Sequence, residues 1–328
     1  METEQKRSSK KLLGLILVTL LFILGIVAWN NKWEIHDRWV SQSYKSTQDS
    51  AEVLNNLQLT SKGDLVYRAS LTEVDDKDNF REKCPVQAYE QASVLGCYGN
   101  RKIYVLKVDE PKLNGVEEVT AAHELLHAKF ERMDPSEKLK VGRLVKSLRS
   151  RTEDKETRDL VRNYESKLGP GEELNNEMFA IFGTQLKDVG SELEDIYSEY
   201  FKDRSAIVDY YLAYSSEFKR INSVIKEYDK KLSDLRDQKN NLEVEINLLS
   251  LQLDREKDSI DYLQNSDSQE EYQSAVEEYN SKVKIFNSKV EEIKSIIGEY
   301  NSIVEKRNTE ALAAKGLADK LNANVEER

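Results

Sequence analysis

The chain has 328 residues, of which 39% are hydrophobic and 33% charged, so it is long enough for one or two domains but too polar to bury all of itself. Acidic residues number 60 against 49 basic ones, the net charge is −11, and no basic stripe interleaves with aromatics, which sets nucleic acid aside as a partner. Prolines stand at 85, 111, 135 and 170 and none follows, so the C-terminal part lacks the strongest helix breaker.

Residues 12–29 read LLGLILVTLLFILGIVAW, with no charge and Thr19 as the one polar side chain. As a helix they span roughly 27 Å, close to the hydrocarbon thickness of a bilayer. Lys6, Arg7, Lys10 and Lys11 precede the run, so the positive-inside tendency puts the short tail in the cytoplasm and everything from residue 30 outside. The expectation is a single-pass protein of the cytoplasmic membrane. Trp29, Trp33 and Trp39, all the tryptophans of the chain, stand at or just past the exit, where indoles sit at headgroup level. A cleaved signal peptide is the alternative, but the run exceeds a usual h-region and no small-x-small site follows it, which favours an uncleaved anchor. Cys84 and Cys97 both follow the anchor, and an oxidising exterior lets them close a short loop worth on the order of 3 kcal/mol. Two free buried thiols are the other reading, because the spacing fits no metal or redox motif.

Residues 34–56 read as charged helix. Within NLQLTSKGDLVYRASLTEV (56–74), a Lys-Gly-Asp turn beside Leu65, Val66 and Tyr67 suggests short strands. CYGNRKIYVLKV (97–108) carries a Gly-Asn turn and then a β-branched and aromatic run that ends before Asp109, Glu110 and Pro111, as a strand does. The period then turns helical. Asn114 and Gly115 cap a helix with Glu117 and Glu118 in its first turn, running to about Met133, and a second helix starts at Asp134 with Pro135 in its first position. A charged connector leads to LGPG (168–171), then come helices from about Glu172 to Lys187 and from about Ser191 through LEDIYSEYF, and the compact domain ends near residue 203.

Beyond it, Phe218, Ile221, Ile225, Tyr228, Leu232, Leu235, Leu242, Ile246, Leu249, Leu253, Ile260 and Leu263 follow 3,4 spacing, interrupted by Lys239 and Glu256. A second register runs from Tyr272 through Val276, Tyr279, Val283, Phe286, Val290, Ile293, Ile297 and Tyr300 to Val304. QNSDSQE (264–270) between them has the composition of a turn. Two heptad runs of similar length most simply fold back as an antiparallel hairpin, with pairing to another chain as the alternative.

The chemistry concentrates in VTAAHELLHAKF (119–130). On a helix His123 and His127 share a face and converge on one ion, while Glu124 projects beside them. Two imidazoles and one further ligand leave a fourth position on Zn²⁺ for water, whose pKa falls toward ~7, and a carboxylate takes its proton as it attacks a peptide carbonyl. Glu124 is that base. The bland reading is a pair of hydrogen-bonded core histidines, but histidine is scarce here, and Val116, Val119, Leu126 and Phe130 share the inward face. For the third ligand, His36 lies too near the membrane. Glu177 shares a helical face with Leu174, Met178 and Ile181 and is carried into the apolar interior, where a carboxylate needs a partner. Glu173, one turn earlier, is the alternative, and as a first-turn glutamate it has an ordinary surface explanation.

His123, Glu124 and His127, with Glu177 in the pair Asn176-Glu177, resemble the gluzincin branch of the zincin metallopeptidases over about residues 97–203. The resemblance implies a zinc endopeptidase or aminopeptidase whose substrate lies extended along an edge strand beside the active-site helix, here Lys102 to Val108. Gluzincins often carry an aspartate four residues after the ligand glutamate to orient a histidine; Ile181 stands there, so that support must come from elsewhere. Tyr197 and Tyr200 are the nearest oxyanion donors, Tyr200 the chosen one, although tyrosines on helices are more often core or interface residues.

The chain therefore reads as an α+β protein: a cytoplasmic tail (1–11), a transmembrane signal anchor (12–29), an extracytoplasmic zincin-like metallopeptidase domain with a short sheet and the HExxH helix (30–203), and a long antiparallel coiled-coil hairpin (204–328). The expected activity is zinc-dependent hydrolysis of a peptide or protein substrate, with the hairpin docking a protein partner. The alternative is an inactive or structural-zinc coiled-coil adaptor. Zinc binding does not need Glu124 and hydrolysis does, so its presence favours the enzyme.

Overall fold

A computed structural model describes residues 19–29, 31–84, 95–265 and 267–323. The tail 1–11 and residues 12–18 of the apolar run lie outside these. Residues 19–29 are helical, with Leu21, Phe22, Leu24 and Trp29 at least 60% exposed. Among the described residues no helix is long and apolar enough to cross a membrane. The protein is mostly helical, with one small sheet and a pair of long C-terminal helices. It divides into two compact units, one running to Ser216 and resuming at Leu317, the other Glu217–Gly316.

In the first unit the elements are α1 (Lys32–Val40), α2 (Gln48–Asn56), α3 (Ser61–Ala69), β1 (Glu73–Asp75), α4 (Lys77–Lys83), β2 (Gly96–Gly99), β3 (Lys102–Leu106), α5 (Val116–Arg132), α6 (Pro135–Arg151), α7 (Lys155–Leu168), α8 (Glu172–Gln185) and α9 (Ser191–Ser198). The long helices are α10 (Arg204–Leu263) and α11 (Gln269–Lys320). The sheet order is β1-β3-β2, β1 parallel and β2 antiparallel to the middle strand. The Gly-Asn turn is a tight hairpin with Asn100 and Arg101 both at positive φ, as the twist of a two-residue turn demands.

Several stretches differ from expectation. Residues 34–56 are two helices, α1 and α2, because Thr47 starts α2 anew by accepting from the Ser50 amide, and α9 ends at Ser198. Leu65, Val66 and Tyr67 belong to helix α3, because Thr60 caps it, accepting from the Gly63 amide at 3.1 Å, and Gly63, Val66 and Tyr67 are buried at helical spacing. Gly63 has to lack a side chain, since a Cβ there would collide with the Tyr200 carbonyl. The charged connector before LGPG is α7: Asp154 accepts from the Thr157 amide at 2.8 Å, and Val161 is buried.

Helix α5 is the centre of the unit. Gly115, at φ 90°, starts it, and it lies between β2 and β3 on one side and α8 on the other. Ala121, Ala122, Leu125, Leu126 and Ala128 are completely buried. The single inward stripe read from the sequence is therefore too narrow: the small alanines let neighbours close in all round. Cys84 and Cys97 form a disulfide that joins the end of α4 to β2. Ala323, beyond α11, packs with Phe80, Cys84 and Leu106, so the chain's late residues return to this unit.

Helix α1 is fastened to the C-terminal end of α5. Arg132 donates to both carboxylate oxygens of Asp37, at 2.8 and 2.9 Å, with both side chains at most 5% exposed. The guanidinium also donates to the Ala128 carbonyl and the Tyr98 hydroxyl and stacks over Trp33. Such a bidentate pair is strong only while both partners are present. Asp37→Ala should lower the unfolding free energy by about 3–5 kcal/mol, the cost of a buried unpaired charge, measured by urea titration in detergent.

In the second unit, Tyr228, Leu232, Leu235 and Leu242 of α10 pack with Ile293, Ile296, Tyr300, Ile303 and Val304 of α11. Glu256 pairs with Lys282, Glu245 with Lys289 and Asp229 with Arg307, so one number falls as the other rises and the helices run antiparallel. Ile296, not Ile297, is the buried residue: 293, 296, 300 and 303 continue the 3,4 seam, and Ile297 is 40% exposed.

Candidate metal centre

Helix α5 presents His123 and His127 one turn apart, and α8, packed against it, brings in Glu177. The two Nε2 atoms are 3.1 Å apart, and the Glu177 oxygens lie 3.7 Å from His123 Nε2 and 3.6 Å from His127 Nε2. Ligands at ~2.0–2.1 Å from a tetrahedral ion stand roughly 3.3 Å from one another, so the three groups have the spacing of one face of such a shell. Glu177 Oε2 is buried without a hydrogen-bond partner. Burial raises the Glu177 carboxyl, but the imidazoles of His127 and His123 outweigh it and hold the group below the ordinary glutamate value. Two imidazole nitrogens and a carboxylate form a donor set suited to a small divalent cation, on which three ligands would leave one coordination position open.

Glu173 is exposed and outside the cluster, so of the two candidate carboxylates α8 delivers Glu177. Ile181 is buried and apolar, and His127 Nδ1 has no hydrogen-bond partner among the described residues. Tyr197 is a core residue, its hydroxyl donating to the Phe179 carbonyl at 2.7 Å. Tyr200 follows α9 in a turn and lies under the ammonium groups of Lys62 and Lys129. Lys129 is two residues on from His127 and thus on the opposite side of α5, so the structure does not bring Tyr200 to the cluster.

Glu124 is buried beside Gly96 of β2, where an added Cβ would stand 3.0 Å from its Oε1 and Cγ. This corrects the strand named for the substrate. Lys102 to Leu106 form the middle strand, hydrogen-bonded on both sides, while among the described residues β2 is an edge strand beside Glu124. Reading the sequence missed Gly96, although the glycine before Cys97 was a sign of close backbone approach. It also missed the Asp37–Arg132 pair, for which a separation of 95 residues leaves no local signal. A cavity of about 450 Å³ at the start of α5, lined among others by Glu117, Glu118 and Asp49, does not include the cluster.

Comparison with protein-family models, with curated proteins and with solved structures finds no match for this chain. Its site therefore has to be argued from its own atoms. His127→Ala and Glu177→Gln should each weaken Zn²⁺ affinity at least tenfold in chelator competition, whereas Tyr200→Phe should leave it unchanged.

Proposed function

We propose that the chain is a membrane-anchored, zinc-dependent peptidase of gluzincin-like type, with His123, His127 and Glu177 holding the ion. The observation that carries this reading is the spacing of the three ligand groups, with Glu124 buried on the same helix against an edge strand. A zinc ion held by these three side chains would supply Lewis acidity, lowering the pKa of a water toward neutrality. Glu124 takes the proton from the attacking water and returns it to the leaving amine nitrogen. The edge of β2 offers backbone groups to an extended peptide, and Gly96 lets that strand lie close to the Glu124 carboxylate. A charge-stabilising donor for the oxyanion is not assigned to Tyr200.

The basic tail before an apolar run supports a single-pass anchor with its N-terminus in the cytoplasm and the site outside. A disulfide fits that oxidising side. The second unit is suited to a protein partner: Val244, Leu248 and Leu251 are more than half exposed at spacings of four and three along α10. That stripe also favours the second reading, an adaptor whose metal is structural.

Glu124→Gln separates the two readings. The variant should retain about one zinc per chain and lose at least a hundredfold in casein cleavage; turnover equal to wild type removes Glu124 as base, and no cleavage by either protein favours the adaptor. Gly96→Val, which pushes β2 off Glu124, should keep the metal and lower kcat at least tenfold, read by metal analysis and steady-state kinetics.

A further inference from the structure

We infer that the substrate of this site is a polypeptide tethered in the same bilayer and cut in the stretch next to the membrane; the inference rests on the peptidase and anchor readings above. Its basis is the fastening of α1. A tether meant to let a domain reach outward is polar and loose, whereas here the residues after the apolar run are folded into the domain. Asn31, the N-cap of α1, donates its amide to the Val27 carbonyl and accepts from the Ile35 amide, both at 3.0 Å, so one residue is bonded both to the apolar stretch and to α1. One face of α1 then turns to the protein: Asp37 is 2% exposed and bonded to Arg132, and Trp33 carries the guanidinium groups of Arg101 and Arg132 over its ring.

The opposite face carries large apolar side chains that no described residue covers. Ile35 is 55% and Trp39 74% exposed, with Lys32 beside them and Trp29, at 73%, ending the apolar stretch. Tryptophan, isoleucine and a lysine on one face, a few residues after an apolar stretch, match the headgroup layer, where an indole has both an apolar and a wet side. The occupant of this face is thus the bilayer surface.

The distance from that surface to the metal site is then limited by helix lengths. Trp29 to Asp37 is eight residues, about 12 Å, and Arg132 back to His123 is nine, about 14 Å. With the Asp37–Arg132 contact between them, the site stands at most roughly 35 Å from the membrane exit, a span that an extended chain covers in about ten residues. Tyr98 of the edge strand belongs to the same bonded group, donating to Glu131 and accepting from Arg132, so β2 is held along with the ligand helix. A rigid site at this height meets the juxtamembrane segments of neighbouring anchored chains first.

The test uses the full chain in liposomes together with an unstructured segment of about a hundred residues fused to a single membrane-spanning helix, and free casein as the untethered probe. Cut positions are mapped by mass spectrometry. Cleavage is expected to fall within roughly the first fifteen residues from the bilayer. Inserting about twenty Gly/Ser residues between Asn30 and Asn31, which adds roughly 25 Å of mean reach, should spread the cuts outward along the segment. Because every tryptophan lies between residues 29 and 39, their emission reports on this helix alone, and lipids brominated near the headgroup should quench it by at least a third. Cuts spread evenly along the segment by the parent protein, or unquenched tryptophans, overturn the inference while leaving the peptidase reading standing if casein is cleaved. Loss of Glu124-dependent cleavage on both probes, with the tryptophans quenched, overturns the peptidase reading itself and this inference with it.

Discussion

Everything in the first unit depends on α5 being buried from nearly all sides while carrying polar side chains. A charge or hydrogen-bonding group in such a position is costly unless matched, and the match can be followed along the helix. Glu118 accepts from Asn56 at 2.8 Å, Thr120 donates to the Val116 carbonyl at 2.7 Å, Lys129 faces Glu199, and Arg132 is held by Asp37. At His123 and His127 the facing group is the Glu177 carboxylate, one oxygen of which has no donor, and His127 Nδ1 is equally unmatched. The place on the helix where partners among the described residues run short is the place where two imidazoles and a carboxylate converge.

The surroundings of that cluster are unusually firmly tied. The edge strand β2 is joined to α4 by the Cys84–Cys97 disulfide and to the end of α5 through Tyr98, and at Gly96 it lies against Glu124. The same end of α5 holds α1 through a buried bidentate ion pair. Strand, ligand helix and the helix following the apolar run are therefore parts of one framework, and distances among them are kept by side-chain contacts rather than by loops.

Local rules account for much of what could be read in advance. Asp134 and Pro135 start α6 as expected, the Asn100–Arg101 turn closes β2 onto β3, and two heptad runs form the long helices. The failures share a cause. Leu65, Val66 and Tyr67 resemble a strand by residue type, yet the cap at Thr60 and the space left by Gly63 against Tyr200 make them helix. Ile297 has the same chemistry as Ile296, and the pairing of α10 with α11 decides which of them is buried.

His123 and His127 owe their common face to the helical period, which is a property of the sequence alone, and the inward direction of Glu177 follows from the apolar residues at its own spacing. The sequence also determined that Cys84 and Cys97 were the one pair available to bond. Only the tertiary structure decided that Glu177 rather than Glu173 reaches the histidines, that β3 is the middle strand and β2 an outer one among the described residues, and that Tyr200 lies on the other side of α5. The reason is physical: periodicity orients a side chain with respect to its own axis, whereas meeting another element depends on which surfaces exclude water together, and that is settled by packing among residues far apart in the chain.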